Sequence, residues 1–222
     1  RMVRWIHGRL LRFYGAPRPF RGRSALDQLI CTLLSQNTTD VNSLEAFRRL
    51  KARFPAWHTA AAADEREIAS AIHVAGLSNT KARRIRQILA RVRVDARGRY
   101  SLAFLRRMPP RQARDYLLSL PGVGAKTAAC TLLFAFGMPI FPVDTHIHRV
   151  AARLGLIGPR VSAEQAHDVL GAAVPPELCH DLHLLLILHG RRLCRSRNPR
   201  CAGCPLRERC PSRRGTPGRA AH

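Results

Sequence analysis

Hydrophobic residues recur along most of this chain at intervals of three and four positions. In one segment, Leu26, Leu29, Ile30, Leu33 and Leu34 follow the i, i+3, i+4, i+7, i+8 pattern of a helix with one buried face. We find no convincing stretch of the alternating pattern that a half-buried strand would give. The pattern therefore predicts an all-α protein of about ten short helices joined by short polar turns.

Several helix starts are visible as capping signals. Asp64 with Glu67, and Ser162 with Gln165, have the spacing of capping boxes, in which two side chains satisfy unpaired amides of the first turn. Ser78 precedes another helical pattern and is predicted to be its N-cap. These signals divide the chain into helices without indicating any internal repeat.

Composition limits the classes of partner. The 222 residues suit one or two domains and are 46% hydrophobic, so the chain can bury a core. Its 38 Lys plus Arg against 14 Asp plus Glu give a formal net charge of +24. Such a balance favours nucleic acid as the partner, with an anionic membrane surface as the alternative. No apolar run has the length of a spanning helix, and arginines interrupt the start, so we expect a cytoplasmic or nucleoid-associated protein.

One lysine stands out because the chain otherwise uses arginine. The only lysines are Lys51, Lys81 and Lys126, and Lys126 follows the glycine-rich stretch 121–124. Arginine cannot lose its proton, so it cannot be an amine nucleophile, whereas lysine can. Asp144 follows eighteen residues later. This pair indicates covalent amine chemistry, while a phosphate-binding lysine and an N-capping aspartate remain open interpretations.

The segment around Lys126 predicts two helices joined by a tight turn. Gly122 and Gly124 flank Val123 and permit positive φ angles. Backbone N–H groups of such a turn, together with the N-terminus of the following helix, can hold a phosphate oxygen without reading sequence. An ordinary interhelical turn is the alternative.

Four of the seven cysteines crowd into seventeen residues near the end of the chain. Cys194, Cys201, Cys204 and Cys210 are separated by six, two and five residues. Four thiolates so close can hold zinc or an iron–sulfur cluster, and the spacing alone does not separate the two. The loop that carries them is rich in arginine, including Arg195 and Arg197. This density indicates contact with a phosphate backbone, while arginines that are simply solvated on a loop are the alternative.

Taken together, these segments resemble the endonuclease III family of helix–hairpin–helix DNA glycosylases. The resemblance covers about residues 20 to 210 and includes several separate motifs in the same order. They are Leu33-Leu34-Ser35-Gln36-Asn37-Thr38-Thr39-Asp40, Ala75-Gly76-Leu77-Ser78-Asn79-Thr80-Lys81-Ala82, Leu120-Pro121-Gly122-Val123-Gly124-Ala125-Lys126-Thr127-Ala128, Val143-Asp144-Thr145-His146 and Leu186-Ile187-Leu188-His189-Gly190-Arg191.

The resemblance implies two helical domains with a DNA-binding cleft between them. A six-helix barrel with the helix–hairpin–helix motif would span residues 24–138. An iron–sulfur domain would combine residues 1–23 and 139–211, and residues 212–222 would form a disordered basic tail. The four cysteines would hold a 4Fe–4S cluster.

The resemblance also implies a function and a set of site residues. The protein would be a monomeric DNA glycosylase and AP lyase of base excision repair, acting on double-stranded DNA with oxidised pyrimidines or abasic sites. Lys126 would be the nucleophile and Asp144 the essential acid. The implied DNA-contacting residues are Gln36, Asn37, Leu77, Gly122, Val123, Gly124, His146, Arg195 and Arg197. Asn37 stands where the family commonly has glutamine.

Two other functions remain open at this stage. One is a monofunctional glycosylase of the adenine-mismatch type, although such enzymes generally lack a lysine at the hairpin. The other is a non-catalytic DNA-binding protein that keeps the hairpin and a structural cluster.

Overall fold

A computed structural model of the chain describes residues 1–17 and 23–215, with the backbone alone described for residues 214 and 215. Within these ranges the secondary structure is entirely helical and contains no strand, which confirms the predicted all-α class. Short 3₁₀ helices join the longer elements. The α-helices are α1 Met2–Tyr14, α2 Ala25–Leu34, α3 Asp40–Arg53, α4 Trp57–Ala62, α5 Glu65–Ala71, α6 Ser78–Asp95, α7 Pro110–Leu118, α8 Ala125–Phe136, α9 Thr145–Arg153, α10 Ala163–Ala173 and α11 Cys179–Arg192.

The helices form where the apolar spacing predicts them. All five apolar residues of the α2 pattern are buried, and Ser24 caps the helix by accepting the N–H of Asp27. Both predicted capping boxes, at the starts of α5 and α10, are present. One predicted N-cap is wrong by one residue. Ser78 was predicted to be the N-cap of α6 but is its first helical residue, and the N-cap is Leu77, which has left-handed backbone and makes no side-chain capping bond.

The chain divides into two compact units. The central unit is Arg21–Met138, and the terminal unit combines Arg1–Phe20 with Pro139–His222. In the central unit, α2 packs against α8 and α3, while α5 packs against α6. This arrangement buries the apolar face of α2 between its neighbours and brings the loop after α2 close to the start of α8.

The terminal unit joins the two ends of the chain. Helix α1 packs against α11, which also packs against α9. Ile6 and Leu10 of α1 are fully buried, and Arg4 makes a 2.6 Å ion pair with Glu177. The apolar face of α1 therefore packs within the protein, in line with its amphipathic sequence.

Two further observations bear on the sequence expectations. No helix in residues 1–17 and 23–215 is long and apolar enough to cross a membrane. The 3₁₀ turn Pro211–Gly215 overlaps the first four residues of the tail predicted to be disordered, which is 212–222, and residues 216–222 of that tail lie outside the described residues.

Candidate active site and cysteine cavity

The predicted tight turn joins α7 to α8. Gly122 has φ of +74°, and a Cβ atom there would lie 2.6 Å from Nε and 3.0 Å from Cζ of Arg84. Only glycine fits this position without strain. The N–H of Val123 donates to the carbonyl of Leu120 at 3.2 Å, and the Val123 side chain is buried. The buried side chain and the N–H bond of Val123 therefore hold the turn in place, while Gly122 and Gly124 are exposed.

Lys126 lies in the first turn of α8 and is exposed. The other two lysines are engaged elsewhere. Lys81 is only 2% exposed, and the amine of Lys51 lies 4.4 Å from the ring centre of Trp57 and 3.6 Å from a carboxylate oxygen of Asp27. Lys126 is thus the lysine whose side chain is most accessible to a reactant.

Asp144 is half-buried at the N-terminus of α9. Its Oδ1 accepts the N–H of Ile147 at 2.7 Å, which confirms the N-cap interpretation. An ionised carboxylate has acceptor capacity beyond this one bond. Asp144 belongs to the terminal unit and Lys126 to the central unit.

Asn37 and Leu77, two of the predicted DNA-contacting residues, are exposed and have left-handed backbone. Asn37, in the loop after α2, has φ of +53°, and Leu77, just before α6, has φ of +50°. The Leu77 side chain is 61% exposed. For leucine this conformation is uncommon and costs about 1–2 kcal/mol. Surrounding contacts must therefore hold the turn of Leu77 in place.

Gln36 links the loop after α2 to the hairpin. Its side-chain nitrogen donates to the carbonyl of Gly122 at 3.0 Å and lies 3.2 Å from the hydroxyl of Thr127. Its oxygen lies 3.5 Å from a guanidinium nitrogen of Arg84. The structure thus gives the amide of Gln36 partners within the protein, and its contact with DNA stays a prediction.

The buried Lys81 is a site residue that the sequence did not reveal. Its amine donates to three carbonyl oxygens, those of Leu34 at 2.9 Å, Gln36 at 2.8 Å and Ala75 at 2.9 Å. Burial, and secondly the charge of Arg84, lower the pKa of Lys81 below its ordinary value. The available signal was its type, because it is one of only three lysines in a chain that otherwise uses arginine.

Cys194, Cys201, Cys204 and Cys210 line one cavity of about 270 Å³ in the terminal unit. All four are free thiols and half-buried. Burial raises the pKa of Cys204, an N–H from Leu206 opposes this, and the charges of the other three cysteines raise it further. The four sulfurs are therefore near enough to interact. Even so, no three His, Cys, Asp or Glu side chains of the described residues are placed as they would be around one metal ion.

Two arginines of α9 make hydrogen bonds to the segment that lines the cysteine cavity. Arg153 lies 3.3 Å from Sγ of Cys194 and donates to the carbonyl of Arg195 at 2.6 Å. Arg149 donates to the carbonyls of Gly190 and Cys194 at 2.9 and 3.1 Å. Neither arginine stands out in the sequence, because their partners lie more than forty positions away.

His189 lies beneath the cysteines, and His146 lies beside α11. His189 is buried, with Nε2 3.6 Å from Sγ of Cys204 and Nδ1 3.1 Å from the hydroxyl of Tyr14. Burial lowers the pKa of His189 to about 4, so this histidine is neutral at pH 7. His146 is half-buried and contacts Arg149. The side chains of Arg195 and Arg197 are exposed.

A family model and two relatives of known sequence all indicate similarity to DNA repair proteins. Residues 30–176 match the family model described as HhH-GPD superfamily base excision DNA repair protein. An endonuclease III of Sulfolobus acidocaldarius is 35% identical over 190 residues, covering 85% of this chain and 82% of that protein. An Arabidopsis thaliana protein, provisionally named a DNA glycosylase, is 40% identical over 168 residues. That match covers 76% of this chain and 57% of the plant protein's length.

A solved structure extends the similarity to the backbone. The trapped endonuclease III–DNA covalent intermediate in an estranged-adenine complex superposes with a TM-score of 0.82 and 29% sequence identity. The superposition covers 96% of this chain and 97% of the other.

Proposed function

The chain belongs to the HhH-GPD superfamily of base excision DNA repair proteins, and from this we propose that it is a bifunctional DNA glycosylase and AP lyase. Its substrates would be oxidised pyrimidines and abasic sites in double-stranded DNA. The observation that carries the proposal is an exposed lysine on the first turn of the helix after a Gly122–Gly124 turn. The similarity to a trapped endonuclease III–DNA covalent intermediate supports covalent chemistry at this lysine.

Lys126 would supply the nucleophile. The lone pair of its neutral amine attacks C1′ of the damaged nucleoside, and the C1′–N bond breaks with its electrons leaving on the base, which takes up a proton. The sugar ring then opens as O4′ leaves C1′, giving an imine between Lys126 and the sugar. Loss of a C2′ proton expels the 3′ phosphate, which cleaves the strand, and water later releases the amine. These steps consume water alone and need neither a nucleotide nor a metal activator.

Asp144 would support the same reaction as a carboxylate. Its position as the N-cap of α9 holds Oδ1 against the N–H of Ile147, which fixes the orientation of the whole carboxyl group. A fixed negative charge stabilises positive charge that develops on the sugar, and it can also accept a proton from the attacking amine. Pre-orientation makes this stabilisation available without reorganisation during the reaction.

The DNA contacts would come from three kinds of group. Backbone amides at Gly122 and Gly124, with the N-terminus of α8, would bind a phosphate. The exposed side chains of Asn37 and Leu77 would enter the duplex where the damaged nucleotide is extruded. Arg195 and Arg197 would contact phosphates. Gln36 would be a further DNA contact beside Asn37, and His146 would line the pocket for the extruded nucleotide.

The four cysteines would hold a 4Fe–4S cluster, and the cysteine cavity fits this group. Its four thiols line one cavity of about 270 Å³, which supports their holding a single group together. When bound, the cluster would crosslink the loop covalently. Arg153 and the N–H of Leu206, which contact Cys194 and Cys204 respectively, would offset thiolate charge.

The decisive experiment is strand cleavage of a duplex containing one thymine glycol, in buffer without added metal. Cleavage on the 3′ side, with borohydride trapping a covalent protein–DNA complex, is the expected result. Base release without strand cleavage would instead identify a monofunctional glycosylase. Binding without base release, on a panel of oxidised pyrimidines and an abasic site, would identify a non-catalytic DNA-binding protein and refute the proposal.

A further inference from the structure

Lys81 is a buried ammonium whose partners are all backbone carbonyls. The residue is 2% exposed, and Nζ donates to the carbonyl oxygens of Leu34, Gln36 and Ala75 at 2.8 to 2.9 Å. An ammonium has three donors and no acceptor, so these three bonds use its full capacity. The charge is thus stabilised by three carbonyl dipoles rather than by a carboxylate.

The chemistry of the side chain explains why this position is lysine. An arginine presents five donors in a planar fork and cannot direct three hydrogen bonds from one small nitrogen to three surrounding carbonyls. An aliphatic residue would avoid the desolvation of a charge but would leave all three carbonyls, two of them in buried bonds, without this donor. Only lysine combines a long stem with three donors on one atom.

The three carbonyls belong to the two segments that carry the exposed residues Asn37 and Leu77. Leu34 ends α2, and Gln36 immediately precedes Asn37, so one pair of bonds fixes the start of that loop. Ala75 ends the 3₁₀ helix His73–Ala75 and lies two residues before Leu77. The Lys81 amine therefore joins the base of the Asn37 loop to the base of the Leu77 loop.

A second set of bonds extends this connection to the hairpin. The side chain of Gln36, whose carbonyl accepts from Lys81, donates in turn to the carbonyl of Gly122. Arg84 lies against Gly122 and approaches the same amide of Gln36. Lys81 and Gln36 together thus connect three loops of the central unit.

We propose that Lys81 is the positioning residue for base extrusion, fixing the loops of Asn37 and Leu77 relative to each other before DNA arrives. The proposal rests on the proposed function, since it assigns these two loops to the step that removes the damaged nucleotide from the stack. Loops that are already ordered lose little conformational entropy when they enter the duplex. We call the three hydrogen bonds of the Lys81 amine the clamp. Loss of the clamp therefore slows extrusion of a damaged base more than it slows strand cleavage at an abasic site, which has no base to extrude.

The wild-type protein allows a direct test of the clamp. Labelling lysine with ¹⁵N gives only three side-chain signals, from Lys51, Lys81 and Lys126. One ammonium should exchange its protons with water far more slowly than the other two, because all three of its N–H groups are bonded and buried. Loss of this signal in Lys81→Met assigns it. If no ammonium of the folded wild-type protein is protected, the clamp does not exist.

The functional test compares two substrates in single-turnover reactions. One duplex carries thymine glycol, which must be extruded, and the other carries a preformed abasic site. Lys81→Met should slow base release at least about tenfold while slowing cleavage of the abasic duplex by less than about threefold. A purely structural loss of folded protein would lower both rates equally and leave their ratio unchanged. Lys51→Met is the matched control, because Lys51 donates to the carbonyl of Pro55 away from these loops.

The outcomes separate this proposal from the proposed function. A wild-type protein inactive on both duplexes refutes the function. An active wild type with an unchanged ratio in Lys81→Met overturns the positioning role. If Lys81→Met does not fold, Lys81→Gln, whose amide offers two donors, is measured in the same way. An unchanged ratio of base release to abasic-site cleavage in that variant likewise overturns the proposal, and a reduced ratio supports it.

Discussion

Replacing Gly122 by alanine tests whether the hairpin is held by the close approach of Arg84. Two physical costs arise at this position. Alanine at φ of +74° loses about 1–2 kcal/mol relative to glycine. The added Cβ would lie 2.6 Å from Nε of Arg84, so the arginine must leave its rotamer at a cost of about 0.5–1.5 kcal/mol. We expect a total loss of about 1.5–3.5 kcal/mol in the free energy of unfolding.

Two other glycines separate these costs. Gly76 has φ of +68°, and an alanine Cβ there would meet open space, so Gly76→Ala carries the backbone cost alone. Gly124 has φ of −93° and is also unobstructed, so Gly124→Ala should cost less than about 1 kcal/mol, because alanine is a poorer N-cap than glycine. Gly122→Ala in an Arg84→Ala background should lose the steric part and match Gly76→Ala.

The assay is urea unfolding followed by tryptophan fluorescence. The chain has two tryptophans, Trp5 in the terminal unit and Trp57 in the central unit. A Trp5→Phe background therefore reports on the central unit through the buried Trp57. Midpoints are compared at equal m-values. If Gly122→Ala costs no more than Gly76→Ala when Arg84 is intact, the contact between Arg84 and the hairpin is not present in solution.

Three further predictions concern the chemistry, the DNA contacts and the cysteine cavity. Lys126→Arg should abolish borohydride trapping while retaining DNA affinity, and trapping that persists would mean that another amine reacts. Asp144→Asn should slow turnover at least about a hundredfold. It should change stability little, because asparagine also caps helices. Alanine at both Arg195 and Arg197 should reduce the slope of log affinity against log salt by about 1.8, and an unchanged slope would show that they are not phosphate ligands. Protein purified without oxygen should contain about four iron atoms and four sulfide ions per chain, and their removal should destabilise the terminal unit. One equivalent of zinc would contradict the cluster.

The fold was predictable from sequence because its signals are local. The i, i+3, i+4 spacing of α2 and the paired polar residues of two capping boxes depend on neighbours within one turn of helix. The same is true of Asp144 as an N-cap. The predicted start of α6 was wrong by one residue, because Leu77 adopts a left-handed conformation that nothing in its own side chain favours.

The parts of the site that escaped prediction depend on distant backbone atoms. Lys81 donates to carbonyls 45 and 47 positions away as well as to a nearby one, and carbonyls carry no sequence signal. The same holds for Arg153, whose partners lie 41 to 43 positions later. Residue type could suggest that the Lys81 position was unusual, but only the tertiary structure shows which segments this lysine joins.

The packing of α1 on α11 has a consequence for the order in which the protein folds. Arg4, Arg9 and Tyr14 make their long-range hydrogen bonds with residues 173, 196 and 175 positions later. During synthesis, α1 leaves the ribosome before the central unit, and the residues it packs against leave after that unit. All segments of the central unit are available before then, so that unit can fold while α1 still lacks its partners. The terminal unit is the high-contact-order part of the chain, and its assembly should limit the folding rate.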